Sequence, residues 1–446
     1  MNAENVINEL KRRKEEFVTG HSGSSIGDIR DVALANILSN AAWIYIVSRY
    51  PSYKESFWLD FLLNWVGLLC SVTVFGKSPY LTCILGVSAI VFARTFSKGS
   101  KSILIKNTKP KNGKQSATLT VYRSSMLIMT SFAILAVDFP IFPRKYAKVE
   151  TWGISLMDLG VGSFVFSNGI VSYRRLQSST QLSKWTKIQQ SLRSSMVLVA
   201  LGFIRLFSVK ATNYQEHATE YGVHWNFFFT LSLLPIAMII LDSFTLRLRF
   251  IFGLTAAVIY ELHLVYHPSF LHFLLNAERV DFISANREGI FSFVGYCIIY
   301  LAGQQAGGMF FSAVRNPMQL LWKLIMSTFF SVLISQSILS LHTLPISRRF
   351  ATIGYSSIVI SSNLVLLTSY HIIVECLPSK PRVSKTYEAV NNNGMMMFLV
   401  SNVLTGMVNF TFNTLDSSPL KAMAILMVYA IVLAEFSLKV PFKLKF

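Results

Sequence analysis

The feature of this sequence that most constrains its fold is a series of apolar runs separated by short polar segments. Each run holds roughly 17 to 25 residues, the helix length needed to cross about 30 Å of hydrocarbon. Only 14% of the residues are charged and 52% are hydrophobic, whereas charged residues make up about a quarter of a typical soluble domain. The sequence therefore predicts an all-α, polytopic membrane protein.

We predict about thirteen transmembrane helices in a single domain that covers residues 1–446. The predicted spans are 31–49, 57–75, 80–96, 122–139, 152–171, 192–209, 225–241, 249–266, 288–307, 319–341, 351–377, 394–412 and 420–438. Residues 1–30 are expected to include a short interfacial segment, because apolar side chains recur there at roughly helical spacing. The lysine-rich stretch 97–121 is expected to form a flexible cytosolic loop.

The net charge of +19 is best explained by membrane topology. Segments that follow odd-numbered spans carry 24 Lys and Arg residues, whereas the N-terminus and the segments after even-numbered spans carry 14. The first group is therefore predicted to be cytosolic, and the N-terminus and the loop after Asp138 lumenal. The basic cluster Lys11–Lys14 opposes this assignment. Since no nucleic-acid-binding motif is present, we predict the lipid bilayer, and no nucleic acid, as a partner.

The cysteine and histidine patterns predict neither a disulfide framework nor a metal site. The four cysteines lie in or beside apolar runs and form no CxxC pair. Glu261, His263 and His267 superficially suggest metal binding, but the HExxH order of a zinc helix is absent. We therefore predict no metal and no cofactor.

The loop after the fourth span contains the leading candidates for chemistry. Asp138 ends an apolar run, Pro140 and Pro143 prevent the helix from continuing, and Arg144 and Lys145 follow. A carboxylate at the mouth of a hydrophobic span is costly unless it is paired or used. It could act as a general base in a partly desolvated site, or it could be an interfacial carboxylate paired with one of the nearby cations.

Other polar residues nearby could complete a site. Lys148 could stabilise an oxyanion, a leaving thiolate or a phosphate, or it could be an ordinary loop cation. Asp158 could be a structural partner or a second polar group in the pocket. A polar and aromatic cluster at 214–226 could bind a sugar or inositol ring, or it could be a solvated loop. Its candidate residues are Glu216, His217, Glu220, His224, Trp225 and Asn226.

Several sequence blocks resemble the PIG-W family of GPI inositol acyltransferases, especially its fungal members. They occur in family order across nearly the whole chain. The blocks are LKRRKEEFVTG at 10–20, AVDFPIFPRK at 136–145, MDLGVGSFVF at 157–166, YQEHATEYGVHWN at 214–226, NREGIFSFVG at 286–295, PISRR at 345–349 and NNNG at 391–394. The segments 97–121 and 172–191 do not align by eye, as expected for linkers.

The resemblance implies transfer of a fatty acyl group, typically palmitoyl, from acyl-CoA to the inositol of glucosaminyl-phosphatidylinositol in the endoplasmic reticulum. Acyl-CoA would be a co-substrate, and both lipids would be partners. The acidic and lysine positions of the family fall on Asp138 and Lys148. By resemblance, Asp138 would deprotonate the inositol hydroxyl, and Lys148 would support the thioester carbonyl or the charge of the pair. Arg144 is a candidate for substrate binding.

Other classes of function remain open at this point. A lipid or solute transporter would use intramembrane charges as a coupling pathway, but the charges here are sparse and unrepeated. A non-catalytic scaffold would tolerate loss of both Asp138 and Lys148. An acyltransferase of another membrane-bound class would normally rely on a histidine in its apolar core, for which His371 is the candidate.

Overall fold

The computed structural model describes residues 12–13, 16–17, 19–95, 116–178, 182–211, 220–311, 316–341, 343–376 and 383–440. These residues form helices and connecting turns, with no β-strand among them. The helices are α1 Ile26–Arg49, α2 Phe57–Val72, α3 Tyr80–Thr95, α4 Ala117–Ala136, α5 Leu156–Ser178, α6 Lys184–Ala211, α7 Phe227–Leu241, α8 Leu246–Tyr266, α9 Pro268–Asn276, α10 Phe282–Ala285, α11 Arg287–Phe311, α12 Pro317–Ser340, α13 Ile353–Cys376, α14 Lys385–Asn392, α15 Gly394–Thr411 and α16 Pro419–Lys439. The interfacial helix predicted near the N-terminus falls largely outside the described residues. So does most of the predicted loop 97–121, but its end was placed too late, because α4 already begins at Ala117.

The prediction of an all-α polytopic membrane protein is confirmed. Each of the thirteen predicted spans coincides with one helix. Within the described parts of the chain, nine helices are long and apolar enough to cross a membrane. Three further apolar helices, α2, α3 and α7, are shorter. The remaining span is α5, which lies inside the bundle and packs most extensively against α11.

The α5–α11 contact explains why glycines recur in two apolar helices. A Cβ on Gly169 would lie 2.1 Å from the carbonyl oxygen of Tyr300, and a Cβ on Gly303 would lie 2.1 Å from that of Phe166. Small residues allow the backbones of membrane helices to approach this closely. The contact fixes α5, and with it the loop that precedes α5, against the rest of the bundle.

Alternate connecting segments meet on one side of the bundle, here called the Asp138 face. It comprises residues 19–25, 73–79, 137–155, 220–226, 267–286, 343–352 and 412–418. Lys145 Nζ lies 2.7 Å from Asp28 Oδ1 at the start of α1. The amide of Gly153 donates to the carbonyl of Ile346, and that of Val223 donates to the carbonyl of Ala285. These contacts join segments that are far apart in sequence.

The other connecting segments meet on the opposite face. Lys187 Nζ lies 3.1 Å from Asp242 Oδ2, and Lys385 pairs with Glu55. The chain therefore changes sides at each span, as it must if segments after odd-numbered and even-numbered spans lie on opposite sides of the membrane. In the described chain, α1 begins on the Asp138 face and α16 ends on the opposite face, which agrees with an odd number of spans. That the Asp138 face is lumenal stays a prediction.

Candidate functional site

Asp138 lies two residues beyond the end of α4, where the helix gives way to a series of tight turns. Its amide donates to the carbonyl of Leu135, and its side chain is half-buried. Asn409 Nδ2 on α15 donates to Asp138 Oδ2 at 2.7 Å. The carboxylate is thus held at the mouth of the bundle by a neutral amide, which orients an oxygen without adding charge.

Arg144 holds the loop that follows Asp138. Its guanidinium donates to the carbonyls of Val137, Phe139 and Phe142 at 2.9 to 3.2 Å, and it lies 4.0 Å from the ring centroid of Phe17. Burial lowers the pKa of Arg144 to about 10, and the Asp138 charge opposes that shift. The described hydrogen bonds of this candidate substrate-binding residue are with the main chain, so Arg144 shapes the loop and places a positive charge near Asp138.

Lys148 belongs to a second cluster on the same face. Lys148 Nζ lies 3.0 Å from Glu220 Oε2, and Glu220 Oε1 lies 3.8 Å from Arg348 Nη2. Arg348 Nε donates to Asp158 Oδ1 at 2.6 Å. The side chain of Lys148 is 34% exposed, whereas that of Arg348 is 2% exposed. The cluster therefore runs from the surface of the face into its interior.

Asp158 is fully buried, and its contacts saturate the carboxylate. Oδ2 accepts from the amides of Val149 and Ser155 and from the Ser155 hydroxyl at 2.7 to 3.1 Å, while Oδ1 accepts from Arg348. Of the two interpretations open from sequence, these contacts favour the structural one. Asp158 fastens the loop that carries Lys148 onto the first turn of α5.

The charges in this cluster are unbalanced toward positive. Burial lowers the pKa of Lys148, with the charges of Arg348 and Arg205 acting in the same direction and Glu220 opposing them. Burial alone would raise the pKa of Glu220, but Lys148, Arg348 and Arg205 outweigh it and lower the pKa to about 2. The low pKa of Glu220 thus reflects three neighbouring cations, whereas the lowered pKa of Lys148 is due first to burial.

The candidate residues between 214 and 226 separate into three groups. Glu216 and His217 lie outside the described residues, and Glu220 pairs with Lys148 as above. His224 is exposed, and its amide donates to Asn286 Oδ1, as does that of Trp225. The Asn226 side chain caps α7 through Phe228 and Phe229 and also donates to Gly202 on α6.

These contacts give Trp225 and Asn226 structural partners in the ligand-free chain. Trp225 Nε1 donates to Thr230 Oγ1 at 3.0 Å. The amide of Asn226 uses both its oxygen and its nitrogen, so it has little capacity left for a sugar hydroxyl. A role in substrate binding stays a prediction for both residues, and the exposed His224 is the most accessible of this group.

The fold brings Asp138 and Lys148 to one face but gives them different described partners. Asp138 is held by Asn409 and lies near Arg144, and Lys148 is held by Glu220. Sequence reasoning did not identify Asn409 or Arg348 as site residues. Two sequence features could have indicated them. Asn409 is a polar residue near the end of an apolar run, and Arg348 lies in the family-like block PISRR at 345–349.

An apolar cavity of about 300 Å³, open to the outside of the bundle, lies between α15 and α16. Its lining includes Leu404 and Val408 of α15, Phe412 directly after that helix, and the exposed Val428 and Val432 of α16. Asn409, which binds Asp138, directly follows Val408 in the same helix. The cavity therefore extends from the level of the Asp138–Asn409 contact toward the middle of the span.

The histidines that the structure describes provide no comparable site. His371 is buried at the opposite face, where its two ring nitrogens contact Thr118 Oγ1 at 3.2 Å and the carbonyl of Pro317 at 2.9 Å. His263 and His267 stack at 4.3 Å between ring centroids. Among the described residues, no group of three His, Cys, Asp or Glu side chains could hold a metal ion. A histidine-based active site at His371 is therefore not favoured.

Comparison with known proteins agrees with this architecture. The sequence profile of the GWT1 family matches residues 10–440. The chain is 75% identical to GPI-anchored wall transfer protein 1 of Kluyveromyces lactis, over the full length of both chains. It is 41% identical to the protein of the same name in Saccharomyces cerevisiae, over 97% of this chain and 98% of that one. The protein of the same name in Candida albicans is 38% identical, with 95% and 96% covered. On this evidence, the chain belongs to the GWT1 family.

Proposed function

We propose that this protein transfers a fatty acyl group, typically palmitoyl, from acyl-CoA to the inositol hydroxyl of glucosaminyl-phosphatidylinositol. The observation that carries the proposal is a half-buried carboxylate, Asp138, oriented by Asn409 at the mouth of a membrane bundle. The resemblance to the PIG-W family supplies the substrates. The name shared by the relatives refers to GPI anchors, which agrees with a glycolipid acceptor.

In the proposed reaction, Asp138 removes the proton from the inositol hydroxyl as the oxygen attacks the thioester carbonyl carbon. An ester C–O bond forms, the C–S bond breaks, and coenzyme A leaves as a thiolate that takes up the proton from Asp138, which restores the carboxylate. Lys148 donates to the oxyanion that develops on the carbonyl, which requires it to exchange its contact with Glu220 for one with substrate. A partly buried cation suits this role because the dielectric around it is lower than in water.

The apolar cavity between α15 and α16 provides a place for the acyl chain. Its apolar lining suits an acyl chain, and its length along the two helices would limit the number of methylenes that it holds. The proposed setting is the membrane of the endoplasmic reticulum, with the Asp138 face in the lumen. No metal or further cofactor enters the proposed reaction.

The proposal is tested with purified protein, acyl-CoA and glucosaminyl-phosphatidylinositol in detergent or liposomes. Asp138→Asn should lower turnover by about 10²- to 10⁴-fold, the usual contribution of a general base. Asp31→Asn is the matched control, because Asp31 also lies near the Asp138 face but pairs with the exposed Arg30. Wild-type turnover in Asp138→Asn would refute the assignment. Movement of lipid across liposomes without any acylated product would favour a transporter instead.

A further inference from the structure

The buried guanidinium of Arg348 lacks one hydrogen-bond partner. Nε is bound to Asp158, and Nη2 lies near Glu220. Nη1 is fully buried and has no acceptor. A buried donor without an acceptor costs free energy on the order of 1–3 kcal/mol. Such an atom in an otherwise well-bonded cluster calls for an acceptor that is supplied from elsewhere.

The residues around Arg348 do not supply that acceptor. Asp158 is saturated by four donors, and Glu220 is shared with Lys148. The adjacent Arg349 is bound to Glu288, which also accepts from Arg279. This neighbouring group adds further positive charge, since Arg287 lies 3.7 Å from the same carboxylate. The excess of cations therefore extends beyond the immediate contacts of Arg348.

Arg205 extends the cluster onto α6. It lies six residues before the end of that helix, and its side chain is exposed. Its charge acts on both Lys148 and Glu220. Asn226 Nδ2 donates to the carbonyl of Gly202 at 2.9 Å, which fixes this part of α6 against the loop that begins at Glu220. Gly202 precedes Arg205 by about 4.5 Å along the helix axis.

We propose that Arg205 and Arg348, beside the charge of Lys148, form a binding site for a singly charged phosphodiester. These three cations outnumber the two carboxylates of the cluster, Glu220 and Asp158, so the cluster favours an anion. A phosphodiester carries one negative charge and offers oxygens to a guanidinium donor. The graded exposure, from Arg205 through Lys148 to Arg348, suits a headgroup that enters from the bilayer surface.

This inference rests on the proposed function, because the phosphodiester would be the group that links inositol to its lipid. It adds a recognition site that holds the inositol ring by its phosphate while Lys148 acts on the donor. Binding can be measured without turnover. If the wild-type protein binds the phosphodiester but forms no acylated product, the proposed function is wrong and the binding site still stands.

The test uses full-length protein in detergent and three soluble probes: glycerophosphoinositol, neutral inositol and coenzyme A. Arg205→Gln should weaken glycerophosphoinositol binding about tenfold, since hydrogen bonds to charged groups contribute about 1.5–3 kcal/mol. Arg205→Lys keeps the charge and should retain most of the affinity. Arg193→Gln is the matched control, because Arg193 is an exposed cation on the same helix about 18 Å away.

The outcomes distinguish two sources of phosphate, the lipid headgroup and coenzyme A. Weaker binding of glycerophosphoinositol alone supports a site for the lipid headgroup. Weaker binding of coenzyme A alone supports the anion site and assigns it to the phosphates of the donor. Unchanged binding of both probes in Arg205→Gln overturns the proposal. An equal loss in Arg193→Gln also overturns it, because the effect would then be general surface charge.

Discussion

Replacing Asp158 by asparagine should destabilise the protein strongly, although the side chain keeps its size. Asp158 accepts from Arg348 on one oxygen and from three donors on the other. An asparagine amide has one acceptor oxygen and one donor nitrogen. In one orientation the amide nitrogen faces the Arg348 guanidinium, which can only donate. In the other it faces two main-chain amides, which also only donate, and the Ser155 hydroxyl, which would have to rotate to accept. Some buried donors therefore lose their acceptor, and the charge of Arg348 loses its closest partner.

The expected cost is about 3–5 kcal/mol, the usual effect of removing one member of a buried ion pair. With an unfolding entropy of about 2.1 cal/mol/K per residue, this corresponds to a melting midpoint lowered by roughly 3 to 5 °C. Asp28→Asn is the matched control. Asp28 pairs with Lys145 at 2.7 Å, but both side chains are 29% exposed, and exposed pairs contribute only about 0–1 kcal/mol.

The assay is thermal melting of the purified variants in one detergent at one pH. Adding Arg348→Met to Asp158→Asn should recover part of the loss, because the unpaired buried charge is then removed as well. If Asp158→Asn melts like the wild type, or loses no more than Asp28→Asn, the role assigned to this buried pair is wrong.

Three further predictions concern the site. Lys148→Arg should lower turnover by roughly 10²-fold, because a planar guanidinium misplaces a fitted oxyanion donor, and retained turnover would reduce Lys148 to a charge-balancing residue. Val408→Trp should shift the donor preference toward shorter acyl chains by filling the cavity, whereas Val403→Trp, on the exposed side of α15, should leave the chain-length profile unchanged. A single cysteine at the exposed Glu150, in a chain without other cysteines, should react with an impermeant thiol reagent only after sealed microsomes are opened. Labelling before opening would contradict a lumenal Asp138 face.

The number and order of the membrane helices could be predicted from the sequence. Apolar runs of bilayer length leave one arrangement available, because backbone polar groups inside hydrocarbon must be satisfied within each helix. The two prolines after Asp138 likewise indicated where α4 ends. The boundaries were less certain: α5 begins at Leu156, several residues after the predicted start at 152, because residues 149–155 fold back onto Asp158.

The partners of the site residues could not be predicted in the same way. The spacing between Asp138 and Lys148 indicated a shared loop, yet the described contacts of these two residues lie on α15 and in the loop before α7, respectively. Neither partner is near in sequence. Burial within the loop could not be predicted either: Ala147, directly before the partly exposed Lys148, is only 3% exposed.

The sequence by itself determined the class of the protein, the alternation of its loops between two faces and the identity of its most unusual carboxylate. These depend on local properties, namely the length of apolar runs and the positions of prolines and charges. Only the tertiary structure decided that Asp158 is a buried anchor, that Asn409 orients Asp138 and that Arg348 keeps one free donor. Such roles depend on which distant helices pack together, and that is set by close contacts such as the one between Gly169 and Tyr300.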